Sequence, residues 1–187
     1  MINLSSSFND LELSDSITVV GQSRNLVIEN KRFDHNSIIV DSLASHIKVR
    51  NCYINFGGIR LHGGAFHCSL EDCWIDNALE DGIHIGDGAG IAGCANLIKN
   101  VHVRWAGNWG FLIQNQVAFS LISSSADANG SGGILASSSH GSYISPSAES
   151  NPIGMRFYDC LGFLSGENLR DNPTPLIIDG GSFIKRG

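Results

Sequence analysis

Among the titratable and charged side chains of residues 60–87, six could do acid–base or electrostatic work around one strand: Arg60, His62, Glu80, Asp81, His84 and Asp87. Two carboxyl groups with different proton affinities can hydrolyse a glycosidic bond, one as acid and the other as base or nucleophile. A base beside an arginine that neutralises a uronic carboxylate could instead run a β-elimination. Arg60, Glu80, Asp81, His84 and Asp87 are therefore the candidate catalytic residues, with His62 a candidate substrate-binding group beside them. A solvated charged surface without chemistry is the competing reading. Asp76, Glu80, Asp81 and Asp87 could offer oxygens to calcium, but no calcium-loop spacing accompanies them, and no metal or cofactor is expected. The run Gly86-Asp-Gly-Ala-Gly90 is glycine-rich, yet a phosphate cradle needs a following helix N-terminus. A strand follows here, so the run reads as a flexible insertion.

A second constellation is aromatic. Tyr53, Trp74 and His102 fall at one phase of a repeat, after Arg32, and Trp105 and Trp109 follow close behind in the adjoining loop. Exposed aromatics on a rigid β surface make platforms for sugar rings and equally good anchors for a subunit interface. Local packing under a loop would explain them too.

The elements that position these groups follow from a repeat. A unit of small residue, apolar, any, apolar recurs at Ser16, Ser37, Gly58, Gly82, Gly110, Gly133, Gly154 and Pro175, in steps of 21, 21, 24, 28, 23, 21 and 21 residues. A period of about 20–30 residues with strand-type residues at fixed phase means a solenoid. Alternation sends Ile17, Ile38, Ile59, Ile83, Phe111, Ile134, Met155 and Leu176 inward as one stack, and Val19 through Ile178 as a second. Outward positions read Thr18, Ile39, Arg60, His84, Leu112, Leu135, Arg156 and Ile177, so Arg60 and His84 should be neighbours on adjacent coils. A second strand in each coil is expected to end at a tight corner, at Asn30, Asn51, Asp72, Asn100, Ser124, Pro146 and Gly166, and a third strand follows it. Asn, Asp and Gly tolerate the left-handed backbone of such corners. The 24- and 28-residue steps flank one strand, Gly82-Ile-His-Ile, and insertions in solenoids gather on a binding face.

Composition narrows the remaining classes. The chain has 187 residues, 16% charged, with 22 glycines and a net charge of −6. That balance argues against nucleic-acid binding, which needs a basic face. No run of 18 apolar residues exists to span a membrane, and the N-terminus lacks the basic start and apolar stretch of a secretory signal. Synthesis in a cytoplasm is expected, with release by lysis as part of a virion one route outside. Of the five cysteines, Cys52 and Cys73 should stack on neighbouring coils as buried free thiols; without close paired spacing a zinc site is not expected. Residues 1–15 read as a cap or partial coil and 16–187 as repeating coils of one domain.

Three strands per coil of about 21 residues, with an Asn corner, resemble the right-handed parallel β-helix superfamily of pectate lyases and phage tailspikes from about Phe8 to Ile184. The resemblance implies an all-β, single-stranded right-handed parallel β-helix of about 7–8 coils with three short strands in each. It also implies a carbohydrate-active protein that binds, and cleaves by hydrolysis or elimination, a bacterial-surface or uronic-acid-containing polysaccharide. A non-catalytic glycan-binding or structural spike module is the alternative. Tailspikes of this kind are commonly trimers, and a homotrimer would cover the outward Ile39, Leu112 and Leu135. The polygalacturonase motifs, the pectate lyase Arg-x-Pro-x-x-Arg and the alginate epimerase Asp-Pro-His-Glu are missing, so no family's catalytic residues carry over by motif.

Overall fold

A computed structural model describes residues 12–13, 15–87 and 92–186; most of the cap assigned to residues 1–15, and residues 88–91 of the glycine-rich run, lie outside the described residues. The chain is a parallel β-solenoid of about eight turns with every strand pair parallel. The first face stacks Ile17–Val19, Ile38–Val40, Ile59–Leu61, Ile83–Ile85, Trp109–Gln114 and Gly132–Ser137. The second runs from Val27–Glu29 through Lys48–Arg50 and Ser69–Glu71 to His140–Ile144. The third runs from Glu12–Leu13 through Tyr53–Asn55, Trp74–Asp76 and His102–Arg104 to Asn168–Arg170. In the last two coils the first and second faces fuse into continuous strands of 13 residues, Ile153–Ser165 and Thr174–Arg186. There the expected three short strands become a long bent one and a short one. No helix among the described residues is long and apolar enough to cross a membrane.

Both inward stacks of the first face are in register as the alternation requires, Ile59 on Ile83 on Phe111 and Leu61 on Ile85 on Ile113. Phe33, Ile54, Ile75 and Val103 line the interior from the third face, and Ile28, Val49, Leu70 and Ile98 from the second, all buried. The small residue that opens each repeat has a steric cause. A Cβ on Gly82 would stand 2.2 Å from Val103 Cγ1, and one on Gly133 would stand 2.5 Å from the carbonyl oxygen of Gly154 in the next coil. In the glycine coils the neighbouring backbone and third-face side chains come too close there for a side chain, whereas Ser16, Ser37 and Pro175 carry one toward the ends of the stack.

Corners turn through the left-handed region. After the second face the residues are Asn30, Asn51, Asp72, Asn100, Ser123, Ser145 and Gly166. The structure thus moves two corners one residue back from the expected Ser124 and Pro146. Proline is locked at negative φ and cannot turn this corner. Ser124 instead donates its hydroxyl to the Ile122 carbonyl at 3.0 Å. Cys52 and Cys73 occupy the same place on earlier coils, each thiol donating to the carbonyl two residues back. All five cysteines are free. After the third face the corner residues are His35, Phe56, Asn77, Trp105, Ala128, Ser150 and Asp171.

Beside that second corner runs an amide ladder, Asn129–Asn151–Asn172, buried at Asn129 and Asn151 and half-buried at Asn172. Asn151 Oδ1 accepts from the Asn129 backbone N–H at 2.9 Å, and its Nδ2 donates to the Ala126 carbonyl at 2.8 Å. Replacing Asn151 with Leu orphans both groups, each costing roughly 1–3 kcal/mol. Thermal unfolding should register a fall in Tm of more than about 5 °C. Tyr143 gives the opposite case. Its ring is fully buried among Phe119, Phe157 and Phe183, and its hydroxyl has no partner. Tyr143→Phe should leave Tm unchanged or raise it, since nothing is lost but a desolvated hydroxyl.

Candidate functional site

Arg60 and His84 stand side by side in the first-face register, as the repeat requires. The turn before the His84 strand brings Glu80 and Asp81 to them. Arg60 forms an ion pair with Glu80, both groups being well exposed. Asp81 is more enclosed, its side chain 10% accessible. Its Oδ1 accepts the Trp109 backbone N–H at 3.1 Å while Oδ2 faces His84 Nδ1 at 3.6 Å. The other ring nitrogen of His84 lies 3.2 Å from Gln114 Oε1. The imidazole is thus held between a carboxylate anchored to the backbone and an amide on the next coil, an arrangement that fixes ring orientation.

Two clefts flank Arg60. One, of about 260 Å³, is lined by His35, Phe56, Leu79, Glu80 and Asp81 together with Arg60 itself. The other, of about 200 Å³, holds His62, His84 and Asp87, again with Arg60. Arg60 borders both, and the two clefts together make a polar trough about its side chain. All five candidate catalytic residues and His62 border it. Asp76 does not: it stands on the third face, apart from Glu80, Asp81 and Asp87. Among the described residues no group of three or more His, Cys, Asp or Glu is placed to hold a metal ion.

The aromatic candidates divide. Tyr53, Trp74 and His102 form one outward column of the third face. Trp105 follows at the corner, 51% exposed. Trp109 is elsewhere: it begins a first-face strand rather than lying in the loop, and its ring occupies the space above Gly132. The residues that organise the column are Asp76 and Arg104. Asp76 is buried and accepts from Tyr53 Oη at 3.2 Å, Trp74 Nε1 at 2.9 Å, and Arg104 Nε and Nη2 at 2.9 Å each. The Arg104 guanidinium lies 4.8 Å from the Trp74 ring and 4.4 Å from the Trp105 ring, between two π faces. Cation–π attraction and the shared carboxylate hold the two indoles. Arg104 gives no sign of this role in the sequence. Asp34, Asn55, Asp76, Arg104, Asp127, Glu149 and Arg170 share one register position, and the 28-residue step hides the neighbour relation of residues 76 and 104.

The chain therefore defines a class by its fold, a parallel β-helix with a polar trough on one face and an aromatic platform on the next. No family model and no curated protein matches the sequence. Among solved structures it is similar to the enzymatically active domain of bacteriophage CBA120 tailspike protein 2. That likeness has a TM-score of 0.51 at 10% identity, over 87% of this chain and 33% of that one. A second is the catalytic domain of a GH87 alpha-1,3-glucanase, at TM-score 0.29 and 13% identity over 89% of this chain and 34% of that one. The second superposition is too loose to add to the fold assignment. The chain spans about a third of the length of both.

Asp76 and Asp127 lie one coil to either side of Arg104 and titrate in opposite senses. Burial alone would raise Asp76, but hydrogen bonds from Arg104 and Trp74 outweigh it and hold the carboxyl below its ordinary value. Burial raises Asp127, with the neighbouring Glu149 charge adding to it. The depressed Asp76 stabilises the fold above the ordinary aspartate range, and that contribution is lost as pH falls through its folded value. The raised Asp127 does the reverse, weakening the fold at neutral pH and relieving it on acidification. Asp76→Asn should therefore lower Tm at pH 7 by a margin that shrinks toward pH 3. Asp127→Asn should hold or raise Tm at pH 7, an advantage that fades in acid.

Proposed function

We propose that this chain is a carbohydrate-active β-helix that binds and cleaves a polysaccharide, in the manner of a tailspike. The observation that carries this reading is the trough, in which Glu80 lines one cleft, Asp87 lines the other, and Arg60 lies between. A glycan laid along it would present a glycosidic bond near Arg60 with a carboxyl group on either side. In hydrolysis, the acid gives its proton to the glycosidic oxygen as the bond to the anomeric carbon breaks. Water oxygen bonds to that carbon and passes its proton to the base. His84, oriented by Asp81, can supply or take a proton at the same place. The fold likeness to a tailspike enzymatic domain supports a polysaccharide as the partner.

A second reading keeps the glycan and drops the chemistry. It is favoured by the Trp74–Arg104–Trp105 stack, a rigid aromatic surface prepared at the Asp76 hub. Phe56, which lines one cleft, and Trp105, beside the platform, belong to one corner column with Asn77 between them. A homotrimer belongs to the same proposal, with the half-buried outward Leu112 and Leu135 at the contact. Sedimentation equilibrium would then return three times the chain mass of 20.0 kDa.

The test is depolymerisation of bacterial capsular and O-antigen polysaccharides and of uronans, with product size followed by chromatography. Shortened chains are expected, and Asp81→Asn or His84→Ala should lower turnover at least about 100-fold. Trp74→Ala should raise KM with kcat nearly unchanged. Binding without shortening across the panel would favour the second reading.

A further inference from the structure

The trough has a charge balance and an aromatic wall that together narrow its ligand. Its lining contains one permanent cation, Arg60, against three carboxylates, Glu80, Asp81 and Asp87, with no lysine or second arginine. Arg60 is already engaged by Glu80. With the histidines counted as neutral, the trough is net negative. A uronate or sulfate entering it would have to displace Glu80 from Arg60 while lying among like charges, a juxtaposition that opposes binding.

The wall is Phe56. It packs face to face on His35, with ring centroids 4.6 Å apart and planes within 7°. Phe56 is 36% exposed, and across the cleft Leu79 is 77% exposed. Between Phe56 and Arg60 the floor is the backbone of Gly57 and Gly58. Cβ atoms there would stand 1.8 Å from the Asn36 carbonyl oxygen and 2.8 Å from that of Gly82. No side chain can rise to close the cleft. Phe56 also occupies the left-handed region at φ 59°, where a bulky aromatic residue is out of place. The same left-handed corner is held by His35 one coil back, by Asn77 one coil on and by Trp105 after it, asparagine being the residue most at ease there.

We propose that the trough takes an uncharged glycan and that Phe56, backed by His35, stacks against one of its sugar rings; this rests on the reading of the chain as a carbohydrate-active β-helix. Apolar C–H faces of a pyranose fit an aromatic wall opposite Leu79, and its hydroxyls reach Arg60 and Glu80 at the far end. An uncharged sugar carries no carboxylate to acidify its ring proton, so cleavage here is hydrolysis rather than elimination.

The experiment is calorimetric titration of the full chain at pH 7.5 with matched panels of neutral and uronic-acid oligosaccharides. Neutral ligands should bind at least tenfold more tightly than their uronic counterparts. Phe56→Asn should lower neutral-glycan affinity at least tenfold while Tm holds or rises, because asparagine is at ease in this corner; Phe56→Gly is the second variant should the first not fold. Tighter binding of uronic oligosaccharides would overturn the charge argument and leave the glycan reading standing. Neutral binding that survives loss of the ring in a folded variant would overturn the stacking subsite. Binding of neither panel would take down the parent reading and this one together.

Discussion

The constraint on which everything else here depends is in-register parallel stacking. Neighbouring strands lie about 4.8 Å apart and the coils do not slip, so each residue meets its equivalent one coil above and one below. A column must therefore be compatible with itself. Apolar columns satisfy this by close packing and form the interior. Amide columns satisfy it by passing hydrogen bonds from coil to coil: Asn51 Nδ2 donates to Asn30 Oδ1 at 2.7 Å, and Asn100 Nδ2 to Asp72 Oδ1 at 2.7 Å. The charged column of the second face satisfies it by alternation. Glu29, Arg50, Glu71 and Lys99 are in register on the second face, and Arg50 is paired with Glu29. Like charges directly opposite would repel.

The same rule explains why two aspartates in one row behave differently. Asp76 stacks beneath Arg104, whereas Asp127 stacks against Glu149, whose charge is drawn toward Arg170 at 2.6 Å. Burial pushes both carboxyls up; hydrogen bonds from Arg104 and Trp74 overturn that at Asp76, and the Glu149 charge adds to it at Asp127. Where the row places a guanidinium next to a carboxylate, the pair also fixes the aromatic rings beside it. The platform is thus a by-product of column chemistry as much as of the indoles.

Legibility in the sequence followed the regularity of the columns. The first-face stacks could be read directly because a small residue marks their phase, and that residue is forced by the close approach of the third face. The corners were harder. Serine at 123 and 145 resembles its neighbours in composition, and only the backbone distinguishes Ser123, which turns, from Ser124, which bonds back to Ile122. Asn129, Asn151 and Asn172 look like ordinary polar loop residues, because burial is invisible when side chains bond only to backbone and to one another. Arg60, Glu80, Asp81, His84 and Asp87 lie near one another because strand register and the insertions converge on them. Trp109 was misplaced because the fifth first-face strand starts two residues before the apolar triplet that marked it. Phe56 was passed over because an aromatic beside two glycines reads as a turn, and nothing in the sequence reports that its ring faces a cleft.

A solenoid coil touches only its neighbours, so local departures do not propagate. This is why the 24- and 28-residue steps can lie side by side without disturbing the stacks Ile59–Ile83–Phe111 and Leu61–Ile85–Ile113 that run beneath them. The inner columns keep the strand carrying His84 rigid, while the insertions supply Glu80, Asp81 and Asp87 from its two ends. A left-handed corner costs roughly 1–2 kcal/mol for a residue with a bulky Cβ substituent, and the ladder of parallel hydrogen bonds on both sides of Phe56 and Trp105 is what holds them there. The Phe56 N–H donates to the Asp76 carbonyl at 2.9 Å, and that of Trp105 to the Asp127 carbonyl at 3.1 Å. Rigidity from repetition is thereby available along a corner column that is irregular, aromatic and open.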